Sequence, residues 1–212
     1  VLIMKTLLHV GCGGLDKASC YGFNNDNWNE IRFDIDKNVN PDIVGTLVDM
    51  KLVKTASVDA IYSAHNIEHL YPHQVPYALS EFSRVLKDDG MVVISCPDLQ
   101  QIAESIANDK LIEPLYTTMS GDNIAAIDAM YGWREPIAEG NEYMAHKCGF
   151  TYSLLDKVFF EAGFKTRVGG KRPDIWELLL VAFKQEKTDE EIKKRALPFI
   201  PKHELGHKLI DL

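Results

Sequence analysis

The sequence contains no apolar run long enough to cross a membrane and no excess of positive charge. Its 23 lysines and arginines are outnumbered by 31 aspartates and glutamates, which gives a formal net charge of −8. Nucleic acids and anionic membranes are bound through basic surfaces, so this balance argues against both kinds of partner. The four cysteines form no CxxC pair, which is typical of free thiols in a reducing compartment and predicts a cytoplasmic protein.

Short apolar strands alternate with helical patterns along the chain. This alternation predicts crossover connections and a parallel sheet that is covered on both faces. The last two strands are joined by GGKRPD and are expected to form an antiparallel hairpin. We therefore predict an α/β, doubly wound, mostly parallel seven-stranded sheet with a C-terminal antiparallel hairpin. The predicted strands are Leu7–Val10, Glu30–Phe33, Asp42–Gly45, Val58–Tyr62, Met91–Cys96, Phe164–Val168 and Trp176–Phe183.

Helical patterns and the length of the chain predict how the domain is organised. Apolar residues recur at helical spacing from Val75 to Leu86, and Asp88-Asp89-Gly90 is expected to end that helix. A second helix is predicted over Tyr152–Ala162. We expect a single domain over residues 1–184, in which residues 101–149 form a substrate lid or insertion. Residues 185–212 are predicted to be a charged tail that begins with a surface helix.

The stretch LLHVGCGG places glycines 11, 13 and 14 directly after the first strand. Ligands bind at this edge of a parallel sheet, and glycine allows a ligand to approach the backbone closely. A dinucleotide fingerprint would need a third glycine at position 16, which is Asp16, and no Walker lysine follows. A phosphate cradle and a nicotinamide oxidoreductase are therefore disfavoured, while a tight turn without a ligand remains an alternative.

Five stretches occur in order along the first half of the chain: HVGCGG, RFDID, VGTLVDM, SVDAIYSAHNIEHL and RVLKDDGMVVISCPD. They resemble successive motifs of class I S-adenosylmethionine (SAM)-dependent methyltransferases, and the type 11 group in particular. The later stretch LLDKVFFEAGF resembles the usual ending of that family. The resemblance implies a Rossmann-like methyltransferase fold, SAM as the cofactor and methyl transfer as the activity.

The resemblance also implies which residues bind the cofactor. The glycine loop would meet the amino-acid and ribose portions of SAM, and Asp34 would accept hydrogen bonds from the ribose hydroxyls, with Asp36 as the alternative. The adenine would lie against Asp49 and Met50, unless the alignment shifts to Thr46-Leu47. Residues after the fourth strand would line the methyl end. The implied cofactor residues are Gly11, Cys12, Gly13, Asp34, Ile35, Asp49, Met50, Ser63, Ala64 and His65.

The sequence departs from the family in the first crossover. Only about fifteen residues separate the glycine loop from the second strand, so the first crossover helix is expected to be short or absent. The family often has an acid where this chain has His9 and a glycine where it has Leu15. These differences concern the closure of the cofactor pocket and leave its expected location unchanged.

His65-Asn66-Ile67-Glu68-His69 also matches HxxEH, a zinc signature of some metalloproteases. Here the motif follows a strand and precedes Tyr71-Pro72, whereas the protease motif lies within a long helix. The same stretch resembles a segment common in type 11 methyltransferases, which are not metal-dependent. We therefore predict no metal site, and we expect Glu68 and His69 to form a helix-capping pair behind the cofactor site.

The acceptor of the methyl group is expected to be a small molecule. SAHN stands where nucleic-acid amine methyltransferases carry an Asn/Asp-Pro-Pro-aromatic motif, which favours a small or sugar-like metabolite over DNA or RNA. A histidine, either His65 or His146, is the candidate catalytic base, because imidazole titrates near neutral pH. A non-catalytic SAM-binding or partner protein remains the alternative. The candidate acceptor-lining residues are Tyr116, Tyr131, Trp133, Arg134, Tyr143 and His146.

Overall fold

The computed structural model describes residues 4–118 and 121–200 of the chain. The nine strands of this part are β1 (Lys5–Val10), β2 (Trp28–Asp34), β3 (Ile43–Val44), β4 (Val58–Ala64), β5 (Leu86–Pro97), β6 (Pro114–Thr117), β7 (Asn123–Ala125), β8 (Thr166–Arg172) and β9 (Glu177–Phe183). Seven strands form one sheet in the order β3-β2-β1-β4-β5-β9-β8. Strands β1 to β5 run parallel, and β9 is antiparallel to both of its neighbours, which confirms the predicted fold class.

Six α-helices accompany the sheet in the described residues. They are α1 (Val75–Val85), α2 (Leu99–Ala107), α3 (Ala126–Tyr131), α4 (Arg134–Ala138), α5 (Tyr152–Glu161) and α6 (Asp189–Arg195). In the described part of the chain, none of them has the length and apolarity that a membrane span requires.

Most strand boundaries differ from the predictions by one or two residues, and two junctions differ by more. Helix α1 ends at Val85, three residues before Asp88, because Leu86 already pairs with Val58 of β4. The chain then loops out over residues 87–90 before pairing resumes at Met91. Strand β8 extends through the GGKR segment that was expected to be the turn, since its ladder with β9 continues as far as Arg172 and Glu177.

Each face of the sheet has its own cover. Helices α1 and α5 pack on one face through buried side chains such as Phe82 and Phe159. On the other face, the crossover from β1 to β2 contains only a short 3-10 turn, Lys17–Ser19, which confirms the predicted lack of a full helix. The area is covered by Phe23 and by the segment after β9, whose Phe199 ring lies 4.5 Å from that of Phe23.

An ion pair on α1 fixes the turn that follows β3. Arg84 pairs with Glu81 at 2.6 Å and donates to the carbonyl oxygens of Met50 and Val53. Glu81 in turn accepts a hydrogen bond of 2.6 Å from the backbone N–H of Met50. The hydrogen bond from Arg84 lowers the pKa of the Glu81 carboxyl. This pair therefore holds residues 50–53 against the helix.

Residues 98–149 form a separate small unit at the carboxyl ends of β4 and β5. Its core contains Ile102, Ile124 and Ala126, contributed by α2, the β6–β7 hairpin and α3. The unit is attached where Asp98 N–H donates to the Trp176 carbonyl and where the Leu99 N–H donates to the carbonyl of Phe150. This placement brings residues 98–149 beside the loops that follow the parallel strands.

Candidate functional site

The glycine loop after β1 has a left-handed backbone at two positions. Gly11 has φ 61° and Gly13 has φ 53°, a region that favours glycine. A Cβ atom at Gly11 would also lie 2.3 Å from Cγ of Asn66, the residue that follows His65. The glycine at position 11 is therefore required both by its backbone angle and by the close approach of the asparagine.

Asp34, at the end of β2, holds this loop in place. Its carboxylate is 9% exposed and accepts hydrogen bonds of 2.8 Å from the backbone N–H groups of Gly13 and Asp36. The Arg32 guanidinium adds a 2.6 Å hydrogen bond to the Gly13 carbonyl. The loop is thus tied to the neighbouring strand by two side chains, and one of them is the predicted ribose acceptor.

A cavity of about 190 Å³ opens between this loop and the ends of β2, β3 and β4. Of the predicted cofactor residues, Gly11, Gly13, Asp34, Ile35 and His65 line it. The other five predicted cofactor residues are not among its lining residues: Cys12, Asp49, Met50, Ser63 and Ala64. Half of the residues predicted to bind the cofactor therefore line one cavity.

The third motif lines the cavity in the shifted alignment. Thr46 and Leu47 face the cleft, whereas Met50 is fully buried and anchored to Glu81. Asp49 lies outside the cleft and forms an exposed ion pair with Lys51 at 3.2 Å. The short strand β3 explains the shift, because the chain leaves the sheet at Val44 and turns at once.

The structure adds lining residues that the sequence analysis missed. Asn66 and Asn141 both line the cleft, and the buried Asn66 Nδ2 and Asn141 Oδ1 atoms have no hydrogen-bond partner among the described residues. An unpaired donor and an unpaired acceptor are costly when buried, so a polar ligand would relieve both. Asn66 lies within the SAHN segment, which was the available signal, whereas no local pattern pointed to Asn141.

His65 is held between two buried carboxylates. Its backbone has φ 47°, Nε2 lies 2.9 Å from Glu177 Oε1, and Nδ1 lies 3.5 Å from Glu68 Oε1. Burial lowers the pKa of His65, but the two carboxylates outweigh this effect and raise it to about 10. Both ring nitrogens are engaged, so His65 is poorly suited to the predicted role of a base.

His146, the other predicted base, has a different environment. Its side chain is 10% exposed, and Nδ1 donates a 3.0 Å hydrogen bond to the carbonyl of Ala129. Burial lowers the pKa of this imidazole. A neutral ring that donates through Nδ1 keeps a lone pair on Nε2. His146 is therefore the predicted base with an unprotonated nitrogen.

A second cavity of about 190 Å³ lies beneath residues 114–146. Its wall includes the rings of Tyr116, Trp133 and Trp176, of which the first two were predicted, and His146 and Asp128 add polar groups. Three residues, His65, His69 and Met144, line both this cavity and the first one. Tyr143 lines the first cavity, whereas Tyr131 and Arg134 line neither cavity. The Arg134 side chain is instead paired with Asp128 at 2.6 Å.

Glu68 and His69 do not cap a helix, contrary to the prediction. The 3-10 turn Ile67–His69 begins after Asn66, and no side chain caps its N-terminus. Glu68 is 1% exposed and His69 donates through Nδ1 to the Ala145 carbonyl at 3.1 Å. Both residues face the segment around His146 instead.

The strand order and the glycine loop followed by an acid at the end of β2 are features of the Rossmann-like class I methyltransferases. Residues 8–94 match a family model described as a methyltransferase domain. This match over residues 8–94 confirms the resemblance to methyltransferases seen in the sequence and supports SAM as the cofactor.

Solved structures of low identity share the fold. A SAM-dependent methyltransferase from Thermotoga maritima is 13% identical with a TM-score of 0.53, and the match covers 85% of this chain and 83% of that one. A 1,6-didemethyltoxoflavin-N1-methyltransferase from Burkholderia thailandensis, with bound S-adenosylhomocysteine, is 14% identical with a TM-score of 0.53 over 86% and 72% of the chains. The CMeT domain of a citrinin polyketide synthase is 12% identical with a TM-score of 0.53; 87% of this chain spans 47% of that chain. No curated protein matches the sequence.

Proposed function

We propose that this chain transfers the methyl group of SAM to a small-molecule acceptor, and that the transfer takes place where the two cavities meet. The observation that carries the proposal is their shared wall of His65, His69 and Met144. Methyl transfer is a displacement that depends on bringing donor and acceptor into line, and adjoining cavities supply this arrangement.

SAM would occupy the first cavity. The backbone at Gly11 and Gly13 allows the close approach that a cofactor without phosphates needs, and Asp34 keeps carboxylate lone pairs beyond the two used by the loop. Thr46 and Leu47 are positioned for the adenine, in place of Asp49 and Met50. The unpaired amide of Asn66 would then find a partner on the ligand.

The acceptor would occupy the second cavity, with residues 101–149 as its lid. This cavity has a volume of about 190 Å³, the same as the one assigned to SAM, and adjoins it. Tyr116, Trp133 and Trp176 provide ring faces, and aromatic faces beside polar groups suit a sugar-like or aromatic metabolite. Of the two predicted bases, His146 is the better placed to take a proton from such an acceptor.

Thermal unfolding with different ligands tests the cofactor assignment. SAM and S-adenosylhomocysteine should raise the melting temperature, because a ligand at 100 times its Kd adds about 2.7 kcal/mol of stability to the native state. NAD and ATP at the same concentrations are the controls and should have no effect. Stabilisation by NAD alone would contradict the proposal.

Methyl transfer is tested separately, with isotopically labelled SAM and a panel of small hydroxylated and aromatic compounds. Label should appear on a small molecule and should be absent from DNA or RNA supplied in the same assay. If SAM stabilises the protein but every acceptor stays unlabelled, the alternative of a non-catalytic SAM-binding protein is favoured instead.

A further inference from the structure

The Glu68 carboxylate is buried without the hydrogen bonds that such a group normally accepts. It is 1% exposed, and neither oxygen has a hydrogen-bond partner among the described residues. Its nearest cationic contact is His65 Nδ1 at 3.5 Å, and His65 forms its shorter contact with Glu177. Removing a carboxylate from water is expensive, and a single contact of 3.5 Å with His65, which His65 shares with Glu177, compensates for it only in part, so Glu68 can accept a further cation.

Two histidines beside Glu68 are oriented in the same way. Nδ1 of His69 donates to the Ala145 carbonyl at 3.1 Å, and Nδ1 of His146 donates to the Ala129 carbonyl at 3.0 Å. A carbonyl oxygen can only accept, so Nδ1 carries the proton in each ring and Nε2 is the nitrogen that can bind a metal. Histidines that bind metals typically donate their other ring N–H to a carbonyl or carboxylate in this manner.

The three side chains converge. His146 Nε2 lies 4.0 Å from Glu68 Oε1, and the two imidazole rings are 4.9 Å apart between their centroids. One ligand atom from each of Glu68, His69 and His146 lies within 4.8 Å of the others. Donors around a tetrahedral ion are about 3.4 Å apart for bonds of about 2.1 Å, so side-chain movements of about 1 Å would complete the site.

The backbone holds this arrangement across a long stretch of sequence. The N–H groups of Lys147 and Cys148 both donate to the carbonyl of Glu68, at 2.8 and 3.1 Å. The backbone of Met144 also passes close to Gly132, where a Cβ atom would lie 2.1 Å from the Met144 carbonyl oxygen. The position of His146 beside Glu68 is therefore fixed by main-chain contacts and does not depend on side-chain rotamers alone.

We propose that Glu68, His69 and His146 bind one divalent transition-metal ion, for which Zn²⁺ is the best match. Two imidazoles and one carboxylate are a common zinc ligand set, and three protein ligands leave one position for water or another molecule. The proposal replaces the sequence-based expectation of no metal. The ligands within the HxxEH stretch also differ from those of a protease. Here Glu68 and His69 would bind the ion, whereas His65 is paired with Glu177.

A second group of potential ligands in the described residues, His9, Cys20 and Glu30, has a different character. Glu30 uses one oxygen to pair with His9 at 2.8 Å and the other to accept from the Lys17 N–H at 2.9 Å. Burial raises the pKa of the Cys20 thiol to about 12, which disfavours the thiolate that a metal requires. These three residues satisfy one another and provide a control site.

The location of the ion would matter for catalysis. His69 and His146 both line the acceptor cavity, so the free coordination position would face the acceptor. If the metal is bound, Nε2 of His146 would be a ligand and could not act as a base. The metal would instead lower the pKa of an acceptor hydroxyl, whose proton would pass to solvent. This part rests on the proposed methyl transfer, whereas metal binding itself does not.

The test is a binding titration on the full chain after treatment with a chelator. Zn²⁺ is followed by calorimetry and Co²⁺ by its visible d–d absorption, which reports the coordination geometry. We expect one ion per chain. Glu68→Gln, His69→Ala and His146→Ala should each weaken binding roughly 100-fold or more. The exposed His73→Ala and the control-site variant Cys20→Ala should bind like the unmodified chain.

Several results would overturn the proposal. They are the absence of stoichiometric binding by the unmodified chain, loss of binding in Cys20→Ala, or loss in His65→Ala with retention in His146→Ala. The first two results do not involve variants of Glu68, His69 or His146, so they cannot be explained by misfolding of those variants. S-adenosylhomocysteine is added in parallel: if it fails to stabilise the chain while Zn²⁺ binds, the proposed function fails and the metal site stands.

Discussion

Replacing Asp34 by alanine tests whether this carboxylate acts as a structural latch as well as a cofactor ligand. The change removes the acceptor of two 2.8 Å hydrogen bonds, from the N–H groups of Gly13 and Asp36. A hydrogen bond to a charged acceptor contributes about 1.5–3 kcal/mol, and both N–H groups lie in half-buried residues, which favours the lower end. We therefore expect the free energy of unfolding to fall by about 3 kcal/mol.

Urea unfolding measures this loss directly, and thermal unfolding provides a second reading. For a chain of this size, about 3 kcal/mol corresponds to a fall in Tm of roughly 6–12 °C. The stabilisation by S-adenosylhomocysteine should disappear at the same time, since the freed glycine loop no longer presents its backbone to the ligand. Asp34→Asn keeps one acceptor oxygen and should lie between the two.

Asp36→Ala is the matched control. Its carboxylate accepts only the local 2.8 Å hydrogen bond from the N–H of Asn38 at the start of a 3-10 turn, so its loss should cost about 1 kcal/mol. The latch is refuted if the free energy of unfolding of Asp34→Ala lies within about 0.5 kcal/mol of that of the unmodified chain. It is also refuted if the control costs more than the test variant.

Three further outcomes are expected. Gly11→Ala should abolish S-adenosylhomocysteine binding in calorimetry, because an alanine there has φ 61° and overlaps the neighbouring asparagine, whereas Gly14→Ala has open space and should bind normally. Thr46→Val should weaken that binding by several-fold and Asp49→Ala should leave it unchanged; the reverse pattern would restore the original alignment of the third motif. The Arg84 guanidinium lowers the pKa of the Glu81 carboxyl. The ion pair therefore stabilises the folded chain at neutral pH, and this stabilisation is lost as the pH falls below about 4. Melting temperatures between about pH 3 and 7 should therefore fall less steeply in Glu81→Gln, and identical slopes would contradict the pairing.

The part of the site that could be predicted from the sequence follows from the topology of the sheet. Once parallel strands are assigned, their carboxyl ends meet at one edge, so Gly11, Gly13 and Asp34 had to lie close together. The third motif was harder to place because β3 has only two residues. So short a strand sets no alternation of buried and exposed residues, and the burial of Met50 depends on a contact from α1.

The remaining site contacts join residues far apart in the sequence. Glu177 contacts His65 from the edge hairpin, and His146 contacts Glu68 from the end of the 98–149 unit. No local periodicity encodes such pairs, because they are set by how residues 98–149 pack at the end of the sheet. The ring orientation of His69, which depends on the Ala145 carbonyl, likewise follows only from tertiary structure.

The cover on the second face of the sheet has a consequence for the order of folding. Phe23 and the adjoining surface of β1 are packed by Phe199 and Ile192, which are among the last described residues to be synthesised. During synthesis on the ribosome this apolar face stays open to water until the residues after β9 have emerged. A nascent or shortened chain would expose that surface and associate with other chains, because pairing between distant parts is slow and transiently open apolar surface promotes aggregation. The segment after β9 thus covers this face of the sheet, and a chain ended after β9 should need chaperone assistance that the longer chain does not.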